Sequence, residues 1–186
     1  MKKIMFSDKF CLTQAVLSGT KTMTRRLLKE GTPLGNWEET AKCLPYKVGD
    51  IVAIAQPYKD IIECMAEYSD IIINVDGSIN REYKAGWTNK MFVKADLMPH
   101  HIRITDVKIE RLHDISDEDI ICEGIRKDGC MYVYNKTYIR KGNTDVNPIY
   151  CTTPMSAFAS LMYKVCDGEI WESNPWVGAY SFELVD

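Results

Sequence analysis

The chain reads as an α+β protein: a small, bent, partly closed β-barrel flanked by helices. Three observations predict this. Strand-like runs at Ile51–Ala55, 101–111 and Tyr180–Leu184 differ in length and are not consecutive. Helical patterns fall between them, after Ser7, Ser116 and Thr153. The spacing lacks the regular strand–helix rhythm of a doubly wound sheet.

A chain of 186 residues predicts one domain, 1–186, with a proper hydrophobic core. Its net charge of -3 argues against indiscriminate binding to duplex nucleic acid, which needs a broad basic face. Any nucleic-acid contact should therefore be small and local. The 7 cysteines are an odd number, scattered, with no C-x-x-C pair, which suits reduced thiols in the cytoplasm better than disulfides or zinc. The 3 histidines have no partner at ligand spacing, so neither a metal nor a cofactor is expected. No apolar run reaches the length of a signal peptide or a membrane span, and no membrane partner is expected.

Ile4–Phe6 predicts a short first strand. Ser7 then caps a helix whose stripe is Cys11, Leu12, Ala15 and Val16, with Gly19 closing it. Residues 29–47, with Gly31, Pro33, Gly35 and Pro45, read as a long irregular connection. Lys47-Val48-Gly49-Asp50 is a turn into the strand Ile51–Ala55, which Pro57 ends. Ile71–Val75 and Ser78–Tyr83 around Asp76-Gly77 predict a hairpin.

In 101–111 the apolar phase slips between Ile102/Ile104 and Val107/Ile109. One extra residue near Thr105-Asp106 makes this a single long strand with a bulge. Ser116 caps a short helix with three acids in its first turn, stopped by Gly124. Residues 126–150 look like an insertion containing one hairpin. Thr153-Pro154 opens a clearer helix carrying Phe158, Leu161, Met162 and Val165, with Gly168 past its end. Tyr180, Phe182 and Leu184 alternate as a closing strand.

The chemistry concentrates in Ser18–Arg26, where one lysine, three threonines and two arginines follow a helix end. No acid occurs from Lys9 to Lys29, so a mildly acidic protein carries a cationic island that invites an anion. Arg25 and Arg26 offer planar forks for phosphate or carboxylate. Lys21 is a candidate base and Thr24 a candidate nucleophile. In a straight strand residues three apart face oppositely, so these two meet only across a bend. The structural reading of the same stretch is a solvated basic turn.

Gly19-Thr20-Lys21-Thr22-Met23-Thr24-Arg25-Arg26 resembles the Gly-x-Lys-Thr-x-Thr-x-Arg signature of the ASCH family, in the PUA-like superfamily. Tyr46–Ile51 looks like that family's Gly-Asp turn and second strand. Arg103–Val107, Leu112–Ile115 and Glu123-Gly124-Ile125 look like its long strand and acid-capped helix. Trp171 with Asn174-Pro175-Trp176 is similar to the ending of larger bacterial and phage members. The resemblance covers most of the chain outside 126–150. It implies a PUA-like β-barrel with a cleft beside the first helix that binds RNA or nucleotides.

Carried over to that cleft, the ligand-binding candidates are Lys21, Thr22, Arg25, Arg26 and Gln56. Where many larger members carry an Arg-Glu pair this chain has Ala55-Gln56, which bears on substrate choice and on activity itself. Smaller members look like amidohydrolases that deacylate acetylcytidine with a lysine, a threonine and a glutamate. Those positions map onto Lys21, Thr24 and Glu123. Such a lysine needs a pKa well below its free value, and neighbouring Arg25 and Arg26 push that way. Glu123, at a helix end where the dipole disfavours its charge, suits a proton shuttle.

Two hypotheses follow: a reader of RNA or a modified nucleotide, and a hydrolase of acylated cytosine nucleosides. A third is a phage-derived accessory protein with a vestigial cleft. Trp171 and Trp176 could stack a base, although aromatics beside a closing strand more often pack in the core.

Overall fold

The computed structural model describes residues 1–140, 143–166 and 168–185. In chain order the strands and α-helices are β1 (Lys2–Ile4), α1 (Leu12–Leu17), β2 (Met23–Leu27), α2 (Trp37–Cys43), β3 (Ile51–Ile54), α3 (Tyr58–Ile61) and α4 (Ser69–Ile72). There follow β4 (His101–Arg111), α5 (Asp117–Cys122), β5 (Arg126–Asp128), β6 (Met131–Arg140), β7 (Asn143–Cys151), α6 (Pro154–Val165), α7 (Gly168–Glu172) and β8 (Trp176–Leu184). The fold is mixed α+β, with a five-stranded sheet of order β1-β3-β4-β8-β2 and a three-stranded sheet β5-β6-β7. Among the described residues no helix is long and apolar enough to cross a membrane.

The chain divides into two compact units, Met1–Phe6 with Ile51–Arg103 and Leu184–Asp186, and Ser7–Asp50 with Ile104–Glu183. In the first, β1 runs parallel to β3 with Ile4 opposite Ile54, and β3 pairs antiparallel with the start of β4, Val52 opposite Ile102. Ala53, Ala55, Tyr58, Ile61, Met65, Ile72, Tyr83, Val93 and Met98 form its apolar core. Short helical turns wrap this core, and the Tyr58 hydroxyl accepts the Lys94 backbone N–H at 2.6 Å.

The expected hairpin at 71–83 is a correction. Its turn exists, with Gly77 at φ +79° and Asp76 accepting from the Ser78 backbone, but pairing stops at one bridge, Ile73 to Ile79. Ile71 and Ile72 complete α4 instead, whose burial of Ile72 in the core outweighs the β-preference of an isoleucine run.

In the second unit β2 pairs antiparallel with β8, Thr24 opposite Tyr180 and Arg26 opposite Gly178. The helix expected after Ser7 is split. Asp8–Phe10 forms a 3-10 turn, Cys11 at φ +56° breaks it, and α1 starts afresh at Leu12. Gly19 closes α1 at φ +71°, its N–H bonded to the Val16 carbonyl. Inside 29–47, read as irregular, Asn36 caps α2 by accepting from Glu38 N–H at 2.9 Å.

β4 is one strand of 11 residues, and its burial alternation slips at the exposed pair Thr105-Asp106. Ser116 caps α5, and Thr153 with Ser156 forms a capping box on α6. Within 126–150, β6 and β7 form the long hairpin and β5 pairs with β6. Residues 141–142 of that stretch lie outside the described residues. Gly168 begins α7 rather than ending α6.

Candidate functional site

The turn after α1 is held from two sides. Lys21 N–H donates to Ala15 O at 2.9 Å, and the Thr20 hydroxyl donates to the same carbonyl at 3.1 Å. Thr22 N–H reaches Cys122 O at the end of α5, and Phe182 N–H donates to Thr22 O. The turn is thereby seated between α5 and β8, and the Lys21 side chain points inward. Gly124 is required there twice over. It sits at φ +98°, and a Cβ on it would come within 3.3 Å of Lys21 Cβ.

Lys21 and Glu123 meet. Lys21 Nζ lies 2.5 Å from Glu123 Oε2 and 2.8 Å from the Glu123 carbonyl oxygen, so the amine also satisfies an orphan acceptor at the helix end. Both side chains are buried, at 2% and 4% exposure. Burial lowers the Lys21 pKa; Glu123 opposes that shift through charge and hydrogen bond, while Arg26 and Arg25 add to it. Desolvation is the main cause of the lowering and the arginines are secondary.

Arg25 occupies the interior. Its Nε and Nη2 donate to Glu110 Oε1 at 2.9 and 2.5 Å, Nη2 to Asp119 Oδ2 at 2.9 Å, and Nη1 to Glu123 Oε1 at 3.1 Å. The side chain is 2% exposed. Burial works against its charge, yet Glu123 and Glu110 outweigh burial and raise its pKa. One guanidinium fork thus joins β4 and α5 to β2. The sequence reading did not single out Glu110 or Asp119. Asp119 and Glu123 stand four apart on one helix face, a spacing that offered the clue.

Strand alternation turns Thr24 and Arg26 to the other face of β2. Tyr180 is the cross-strand partner of Thr24, and Gly178 opposite Arg26 leaves room for the Tyr180 ring: a Cβ there would lie 3.0 Å from the hydroxyl. Tyr180 is fully buried and meets Tyr46 edge-on at 5.5 Å. Burial pushes its hydroxyl up to about 12, with the Tyr46 ring adding and Arg26 opposing. The Tyr46 backbone amide lies near enough to favour the phenolate, and among the described residues the hydroxyl has no fully formed hydrogen bond. Cys166 lies close enough to feel both Arg26 and Glu123, and burial raises its thiol pKa.

Thr24 is buried on the face of β2 shared with Arg26. Gln56 belongs to the first unit, directly after β3, buried and with Oε1 unbonded. Thr22 is half-buried, its backbone engaged as above. His113 sits by Trp171, its Nε2 2.9 Å from the Trp171 carbonyl. Among the described residues no group of three or more His, Cys, Asp or Glu is placed to hold a metal ion. The carboxylates of Glu110, Asp119 and Glu123 converge on a guanidinium.

A cavity of about 250 Å³ opens beside this cluster, lined by Ala15, Thr20, Gly124, Arg126 and Asn135 among others. No family model matches the chain, and no curated protein does. Among solved structures it is similar to a protein of Enterococcus faecalis V583 from the family designated DUF984. That likeness has a TM-score of 0.43 at 15% identity, over 94% of this chain and 67% of the other.

Proposed function

We propose that the chain is a single-domain, ASCH-type protein with a PUA-like bent barrel, and that it binds a nucleotide or RNA. The observation that carries this reading is the buried Tyr180 hydroxyl on the face of the β2–β8 pair that also presents Arg26. Arg25 is shared by three carboxylates, and Arg26 lies on the opposite face of β2 with Thr24, across from Gly178 and the Tyr180 ring that packs against it. A buried hydroxyl without a hydrogen bond is costly, and such groups gather where a ligand or ordered water completes the site. A cation beside it supplies recognition of phosphate. Arg26 is therefore assigned to the ligand and Arg25 to the scaffold.

The test is equilibrium binding of a short cytidine RNA at several salt concentrations. Arg26→Ala should lower affinity at least about tenfold and flatten the salt dependence, because one phosphate contact and its released counterion are lost. Thr24→Val should leave binding nearly unchanged. Binding indifferent to salt and to Arg26 sinks the reading.

A second reading is deacylation of an acetylcytidine-type nucleoside, favoured by the Lys21–Glu123 pair, since a buried amine with a lowered pKa is a candidate base. Thr24 Oγ would attack the acyl carbonyl as Lys21 takes its proton. The cytosine amine would leave with a proton passed from Lys21 or Glu123, and water would then free the acyl-threonine. Purified protein should turn over N4-acetylcytidine, and Thr24→Val should abolish turnover without disturbing the ion pairs. An inactive wild type removes this reading and leaves the first intact.

A further inference from the structure

We infer that Trp176 is a stacking platform for a second base, so that the ligand is single-stranded RNA of at least two nucleotides rather than a mononucleotide. The inference rests on the RNA reading and extends it along one strand pair. On β8, Trp176, Gly178 and Tyr180 alternate onto one face; on β2, Thr24 and Arg26 share the matching face, and Leu28 follows them. Leu28 N–H donates to Trp176 O at 3.1 Å, which continues the pairing past the end of β2.

Trp176 thus stands two residues, about 7 Å, beyond the Gly178 that faces Arg26. Its side chain is not core: the residue is 36% exposed and borders a recess of about 210 Å³. Leu28, Lys29, Gly31, Thr32, Leu34 and Pro175 supply the other walls, with one cation among them. Arg111 lies over one face of the indole, 4.6 Å from its centroid, and donates to Asn174 O at 3.0 Å, so it holds the ring and a base stacks on the other face. An apolar slot with an aromatic wall and cationic rim takes a base with its phosphate, since every base has a π-face and the backbone needs positive charge.

Binding of cytidine 5′-monophosphate and of a cytidine trinucleotide RNA tests this. Trp176→Ala should weaken the trinucleotide about 5- to 100-fold, the range for losing one base stack, and leave the mononucleotide unchanged. Trp176→Phe should retain most of the trinucleotide affinity. Lys29→Glu, at an exposed position, should weaken the trinucleotide alone. If the trinucleotide binds no tighter than the mononucleotide, or ignores Trp176→Ala and Lys29→Glu while Arg26→Ala abolishes it, the platform is refuted and the RNA reading stands. If wild type binds neither probe, both fall.

Discussion

Arg25→Ala is expected to destabilise the protein by about 3 kcal/mol, because removing one partner of a buried ionic cluster leaves the other charges uncompensated. The guanidinium is shared by Glu110, Asp119 and Glu123, and its side chain is 2% exposed. Glu123 would keep Lys21 and Asp119 would keep Lys108 at 3.1 Å, whereas Glu110 would keep no partner described in this cluster. Partial exposure of Glu110 (17%) and Asp119 (16%) holds the loss below that of a fully buried triad. Arg25→Lys should recover less than half, since an ammonium cannot span three carboxylates as a planar fork does. Urea unfolding gives the comparison through the midpoint at constant m-value. A loss under about 1 kcal/mol for Arg25→Ala would show that the cluster is a surface-like network of little worth.

That prediction marks where the sequence stopped being legible. A run of cations without an acid for 21 residues reads as a patch that meets an external anion. Its acids lie 85 to 98 positions away on β4 and α5, and only the folded topology brings them in. Signals contained within a few residues came through: Ser116 and Thr153 as caps, Gly19 and Gly49 as turn glycines, the phase slip at Thr105-Asp106. Signals set by tertiary burial did not. Asp76-Gly77 makes its turn, yet Ile71 and Ile72 serve α4 and the core, and the ladder is confined to the Ile73–Ile79 bridge. For the site, the lysine–glutamate pairing was read through a family resemblance, because nothing local links positions 21 and 123. The pairing of Arg25 was invisible for the same reason, and alternation along β2 is what separates its duty from that of Arg26.

Glu123→Gln is expected to cost about 3 kcal/mol near neutral pH and to recover part of it as pH rises, because it leaves the Lys21 amine buried without its counter-charge. The Lys21 pKa is already lowered by burial, and Glu123 is the group that holds it up, by charge and by hydrogen bond. Removing Glu123 therefore lowers that pKa further. In the unfolded chain the amine titrates near its ordinary 10.5. Between the two values the unfolded state binds more protons than the native state, so stability increases with pH across that window. The wild type should gain stability in the same direction over a narrower interval, since its native pKa is lowered less. Lys21→Met in the Glu123→Gln background removes the stranded charge, and should restore stability and flatten the pH dependence. The single variants and the double variant form a cycle in which the pair's coupling is read directly. A Glu123→Gln protein whose stability is flat from about pH 7 to about pH 10, and which Lys21→Met does not rescue, would mean the amine reaches water. In that case the lowered pKa on which the deacylation reading depends would be lost with it.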